Sequence, residues 1–418
     1  MKKFLAAVIL MMSFINVSCA EPERDFSTGV NEFCWEYFAT LDRKENIFYS
    51  PYGIHAALSI LANGASGDTR QEILHALSAG NVENLNDGHK NFLAALEKNY
   101  GGENLFMESN LLLIDKKIFG RGLNKNFQNI VTDVYKSDVR EANFSGNVEG
   151  EKKKISGWVS DKTRGFIPNY VSIVSSKTLT DLLNVVCFKG KWAMPFEVAG
   201  TSPRDFKNLD GSSATVDMLN KVFEDSITYH ADEKFEAVEL PYGAGAVMNL
   251  ILPVDDKALK VAELWNDETY SYRKNFLDSL RNSSAFNGEV IVRLPKFEMD
   301  IENNLIENLK AIGIKKSFTD DAEFFYIIND TPLKIDNAKH RAKVKVDEQG
   351  TTAAAVTEIT MIETGAAPGF EPPRRVYFIA ERPFLFLIRD VESNVILFAG
   401  AVNKIKKIFP DSPKTIGN

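Results

Sequence analysis

Residues 346–373 read VDEQGTTAAAVTEITMIETGAAPGFEPP, and they resemble neither an ordinary helix nor an ordinary loop. Between Thr351 and Thr364, eight of the fourteen residues are β-branched (Thr351, Thr352, Val356, Thr357, Ile359, Thr360, Ile362, Thr364), which opposes a helix despite the three alanines. So short a helix would be marginal in any case. Taken with a period of two, one face carries Thr351, Ala353, Ala355, Thr357, Ile359 and Met361, and the other Thr352, Ala354, Val356, Glu358, Thr360 and Ile362. The first face grows from small to large and apolar, and the only charge before residue 363 lies on the second. That is the pattern of a strand able to lie over a core, with small side chains where it first wedges between neighbours. Gly350 supplies a pivot just before it. Beyond it, TGAAPGFEPP holds three prolines and two glycines and reads as an exposed irregular loop. Taken alone, the stretch fits a surface loop with an apolar bias equally well.

Outward from it, the chain changes character. The first third is mostly helical in pattern: STGVNEFCWEYFATL and GIHAALSILANGA place apolar residues three and four apart, Ser50-Pro51 opens the second with a capping residue and a first-turn proline, and DTRQEILHAL continues after Gly67. From residue 180 strands dominate: LLNVVCFKGKW, FEAVELPY, VMNLILPV, GEVIVRLPKFEMD, AKVKVDEQ and FLFLIRDVESNVILFAGAV are rich in β-branched and aromatic residues and bounded by turn formers. Helices gathered early and strands gathered late indicate an α+β architecture.

The 418 residues are 44% hydrophobic and 25% charged, ordinary for a globular protein with a large core, and the net charge of −8 argues against nucleic-acid binding. The lysine runs 152–154 and 404–407 read as solvated faces. MKKFLAAVILMMSFINVSCA, residues 1–20, has two lysines, an apolar run and small residues, the pattern of a bacterial-style secretory signal. Ser18 and Ala20 suit cleavage before Glu21, while Cys19 offers the alternative of a lipid anchor, so a secreted or envelope-associated protein, in the periplasm or at the cell surface, is expected. Cys34 and Cys187 make no disulfide framework, and Cys187 falls in a buried-strand pattern. The five histidines form no HExxH motif and no GxSxG motif occurs; GRGL and YGAGAV lack the third glycine of a dinucleotide loop and read as turns. The pairs Asp255-Asp256 and Asp320-Asp321 read as loop ends. No enzyme activity, cofactor or metal is indicated.

These motifs resemble the serpin family. DEQGTTAAAVT is similar to the hinge of the serpin reactive loop, and NIFYSPYGIHAALSILANGASGDTRQEI, LLNVVCFKGKWAMPF, FEAVELPY, VRLPKFEMDIENNLIENLKAIGIKKSF and ERPFLFLIRDVESNVILFAGAV are similar to other serpin signatures, in family order. The likeness covers residues 26–405. It implies one domain over residues 21–418, with three β-sheets, about nine helices and an exposed reactive loop at about 348–375. It further implies an irreversible suicide-type inhibitor of serine, and alternatively cysteine, endopeptidases, which traps the acyl-enzyme when the cleaved loop enters the central sheet. A non-inhibitory serpin acting as chaperone, carrier or protease substrate is the alternative.

Residue by residue, the resemblance assigns the hinge to Glu348, Gly350, Thr351, Thr352, Ala353, Ala354 and Ala355, the shutter to Ser50, Asn184 and His340, and the breach to Trp192. The scissile bond implied is Thr364–Gly365, with Met361 and Glu363 as alternatives. A threonine there suits elastase-like or subtilisin-like serine proteases, and a papain-like cysteine protease is a further candidate target; a monomer is expected. Thr352 stands where inhibitory hinges usually carry glutamate, and Gly53 where the shutter commonly has a serine. Arg374 and Arg375 fall where the following strand should start. LHALSAGNVENLNDGHKNFLAALEKN lacks the basic cluster that heparin activation would need.

Overall fold

The computed structural model describes residues 25–100, 105–243, 245–254, 270–329, 331–351 and 373–406. The expected signal segment with Cys19, the Asp255-Asp256 pair and residues 352–372 lie outside them.

Helix starts are set by side-chain caps. Asp25 accepts the Thr28 amide at 3.0 Å to open α1 (Phe26–Ala39), Ser50 accepts the Gly53 amide at 3.0 Å to open α2 (Pro51–Gly64), and Asn81 accepts the Asn84 amide at 2.8 Å to open α4 (Val82–Asn99). Between them, α3 (Gly67–Ala76) starts on Gly67 at φ +48°. The described helices continue with α5 (Lys116–Phe119), α6 (Lys125–Asn129), α7 (Val148–Lys162), α8 (Tyr270–Asn282) and α9 (Ile306–Ala311). Nine α-helical segments thus occur among the described residues.

Three sheets hold the sixteen described strands. The first contains, in order, β3 (Asp138–Ala142), β2 (Leu105–Asp115), β4 (Thr180–Lys191), β13 (Gly350–Thr351), β12 (Asn337–Asp347) and β11 (Phe297–Asn304). The second orders β1 (Ile47–Tyr49), β16 (Ile396–Val402), β15 (Phe384–Asp390), β9 (Ala246–Pro253), β8 (Phe235–Pro241) and β7 (Tyr229–Ala231). The third orders β14 (Arg375–Ile379), β10 (Glu289–Pro295), β6 (Ser213–Glu224) and β5 (Ser202–Lys207). Three sheets with helices, a mixed α+β architecture, are what the resemblance implied. One departure is that the helix-rich first third also carries β1 and the eleven-residue β2, which the local pattern did not announce.

Alternation along the first sheet separates two environments. Even-numbered residues of β4 and β12, among them Leu182, Val186, Phe188, Ala338, Ala342 and Val344, join the main cores. Odd-numbered residues Leu183, Val185 and Cys187 pack instead against Ile155 and Val159 of α7 on the outer face. Cys34 and Cys187 are both buried, and burial pushes the Cys187 thiol up to about 12, so it is inert at neutral pH. Among the described residues, no helix is long and apolar enough to cross a membrane.

Candidate functional site

The site is the seam between β4 and β12. These strands pair directly and in parallel from Asp181–Asn337 to Cys187–Lys343. Above that they part, and β13 lies between them, antiparallel to both: Thr351 pairs with Val346 and Gly190, and Gly350 with Asp347 and Lys191. Only a two-residue turn, Glu348-Gln349, separates β12 from β13, so the chain doubles back into the gap at once.

Local chemistry explains the turn. Gly350 sits at φ +138°, and an added Cβ would stand 2.1 Å from the Gly190 carbonyl oxygen, so only glycine fits. Thr351 is fully buried, with its hydroxyl 2.9 Å from Tyr242 Oη. Tyr242 in turn stacks on Trp192, with ring centroids 4.4 Å apart. Trp192 grips the turn twice: its amide donates to the Gln349 carbonyl at 2.9 Å and its Nε1 to the Asp347 carbonyl at 3.0 Å. Glu348 is anchored by Thr201 Oγ1 at 2.9 Å and Lys296 Nζ at 3.0 Å. Burial opposes the charge of Glu348, but its hydrogen bonds outweigh that and hold the carboxyl below its usual range.

Halfway down, Ser50, Asn184 and His340 do come together. The Ser50 amide donates to His340 Nε2 at 2.9 Å, so Nε2 carries no proton. Nδ1 must then donate to Asn184 Oδ1, 2.6 Å away, and the ring is neutral, in keeping with burial that drives its pKa down to about 3. His340 and Asn184 are level partners across the seam, so this bond ties together the two strands that would have to part. Ser50 Oγ donates to the Leu397 carbonyl at 2.6 Å, fixing α2 to the second sheet.

Two further residues, Glu108 and Asn110 of β2, join this cluster and escaped the sequence reading. Asn184 Nδ2 donates to Asn110 Oδ1 at 2.8 Å and to Glu108 Oε1 at 3.0 Å, and Asn110 Nδ2 donates to Glu108 at 2.6 Å. Burial pushes the Glu108 carboxyl up to about 8. The one available signal was two polar residues two apart ahead of the apolar run LLLI in β2. Gly53 leaves space for this network, since a Cβ there would stand 2.8 Å from Asn184 Oδ1. Tyr242 was likewise missed; it closes the FEAVELPY motif.

Thr352, Ala353, Ala354, Ala355, Met361, Glu363, Thr364 and Gly365 lie outside the described residues. Arg375 opens β14 and pairs with Glu289 at 2.5 Å, as expected of a strand start. Asp320 takes a bond from Lys334 at 2.6 Å, an ordinary loop contact. Ser59 lies 3.1 Å from His89, which bonds His55 at 3.0 Å; all three are buried and burial drives both rings down in pKa, so the trio is structural.

A family model described as Serpin (serine protease inhibitor) matches residues 28–405. Iripin-1 of Ixodes ricinus is 29% identical over 409 residues, covering 95% of this chain and 99% of its own. Among solved structures, the thermophilic serpin tengpin in its native state superposes with a TM-score of 0.79 at 26% identity, covering 92% of this chain and 96% of its own. Thyroxine-binding globulin in complex with thyroxine does so with a TM-score of 0.77 at 25% identity, covering 91% and 99%.

Proposed function

The chain belongs to the serpin family, and from that premise we propose that it is an irreversible suicide-type inhibitor of serine endopeptidases, trapping the acyl-enzyme by drawing its cleaved loop into the first sheet. The observation that carries this reading is that Gly350 and Thr351 already occupy the top of the seam, bonded to both flanking strands. Continuing the same pairing brings Thr357 level with Asn184 and His340, Thr360 level with Asp181 and Asn337, and Met361 level with Thr180, where β4 begins. The slot thus accepts Thr351 to Met361, and Thr364–Gly365 falls just beyond its lower end, which suits that pair as the scissile bond. The apolar face of the segment, Thr351 to Met361 in odd numbers, meets the core side of the seam. Its one charge, Glu358, comes level with Lys339 on the outer side.

Magnitudes support the scheme. Fourteen residues at ~3.3 Å each span about 46 Å, enough to carry an attached enzyme across the molecule. A strand gaining two neighbours forms on the order of a dozen hydrogen bonds at a net ~1 kcal/mol each. That rivals the ~5–15 kcal/mol stability of a whole domain. Removing one oxyanion-hole donor costs a protease ~10²–10³ in rate, so a distorted acyl-enzyme stays trapped.

Elastase-like and subtilisin-like enzymes are the proposed targets, and the signal-like pattern of residues 1–20 supports a location outside the cytoplasm, with Cys19 as the lipidation site if it is anchored. Incubation with elastase and with subtilisin, followed by a denaturing gel, tests the reading. A covalent complex resistant to SDS is expected, with a released fragment whose mass starts at Gly365. Clean cleavage with no complex would overturn it in favour of a carrier role, which the likeness to thyroxine-binding globulin would then support.

A further inference from the structure

Below the shutter, the closed seam buries a charge pair. Asp181 on β4 and Lys339 on β12 stand 3.6 Å apart, Oδ1 to Nζ, with side chains 1% and 2% exposed. At that separation the two atoms attract without a good hydrogen bond; the Asn337 side chain bonds the Asp181 carboxyl, but Asp181 Oδ1 and Lys339 Nζ themselves have no hydrogen-bond partner. Tyr170, buried in the segment after α7, hydrogen-bonds Glu302 of β11 and lies near enough to Asp181 to feel its charge, and Arg341 of β12 completes the charged surroundings. Burial pushes the Asp181 carboxyl up, against the pull of Lys339.

Such a pair is expensive in a closed sheet. Two ions taken out of water recover their solvation only when geometry is good and their remaining bonds are satisfied, and apolar replacements of similar volume often stabilise a protein. Apolar packing is available at this place: on the same outer face of β4, Leu183 and Val185 pack against α7. Admitting one strand would spread β4 and β12 from ~4.8 Å to about twice that, giving both charges new neighbours and water.

We propose that Asp181 and Lys339 form an under-bonded charge pair that stores in the closed sheet part of the free energy released when the sheet accepts another strand. The inference rests on the insertion reading above. The pair makes the intact form less stable than an apolar seam would, and it makes the seam readier to open.

The test follows uptake of a synthetic peptide of residues 351–364 by the full chain, read by the fluorescence of Trp192 at the seam mouth, together with denaturant midpoints of intact and loop-nicked protein. The double variant Asp181→Leu/Lys339→Met is expected to take up peptide about tenfold more slowly, a fold-change equal to about 1.4 kcal/mol. Its intact midpoint should rise while its nicked midpoint stays level or falls. Asp181→Asn, which leaves Lys339 unpaired, is expected to speed uptake; if it fails to fold, the double variant carries the test. Equal shifts of intact and nicked midpoints, or uptake at the parent rate, would overturn the proposal. A parent protein that takes up no peptide and gains nothing on nicking would instead overturn the insertion reading.

Discussion

Gly350 combines a left-handed backbone with a neighbour 2.1 Å from its missing Cβ, whereas Gly122 has a similar φ of +115° and nothing within 4 Å. Gly350→Ala is therefore expected to cost the intact protein about 1–3 kcal/mol and Gly122→Ala less, as read from urea midpoints. Equal losses would remove the steric account of the turn. Glu108 titrates against the usual direction for a carboxylate. Its folded value near 8 lies above an unfolded value of ~4.3, so the native state binds the extra proton; the stability it contributes is complete below ~4.3 and is lost as pH rises through 8. The buried His340, His55 and His89, all with lowered values, act oppositely, losing stability as pH falls below ~6.5. Comparison with Glu108→Gln isolates the first effect: between pH 5.5 and 8.5 the parent should lose more stability than the variant, and parallel profiles would contradict the assignment. Ser50, Asn184 and Trp192 could be located from motifs because each sits in a long run of family-like sequence, and His340 because it lies just ahead of the hinge-like DEQGTTAAAVT. Glu108, Asn110 and Asp181 could not, because their meaning depends on which strands are neighbours, and that is settled only by the β2–β4 and β4–β12 registers.

At the scale of elements, the two-residue β13 sets the phase of everything that would follow it. A substitution on its inward face should block insertion, and one on its outward face should not. Thr357→Arg would bring a long cation into the fully buried space between Asn184 and His340; the variant is expected to be cut by elastase without forming an SDS-stable complex. Thr352→Glu comes level with Lys345 on the outer face and should keep full trapping. The reverse pattern would mean that the phase is wrong by one residue. In residues 351–361 small, β-branched and apolar residues are sorted by parity in the sequence itself, and Thr351, the one described residue of that stretch, is buried on the core side as that parity assigns it. Strand β2 was not legible, because LFMESNLLLID is apolar on both faces along Leu111–Ile114, where it packs on the main core and on α7 at once, and so loses the period of two. The pairing of β10 with β14, parallel and far apart in sequence, was equally beyond local pattern.

For the whole molecule, the account makes the intact protein a state held short of its most stable arrangement. Its first sheet is open by two residues at one end, tied at the middle by His340 and Asn184, and burdened below by a poorly bonded ion pair. A strand's worth of hydrogen bonds and an apolar face await in the loop. In the proposed mechanism the segment between β13 and β14 is tethered at both ends, by Glu348 and Gln349 to β12 and by Arg374 to β14, and cutting it is the trigger. The most direct test is the unfolding of intact protein and of protein nicked within residues 361–369, compared by the same denaturant titration. The nicked form should unfold at a far higher denaturant concentration, by an amount of the order of a dozen hydrogen bonds at a net ~1 kcal/mol each. Coincident unfolding curves would contradict the account.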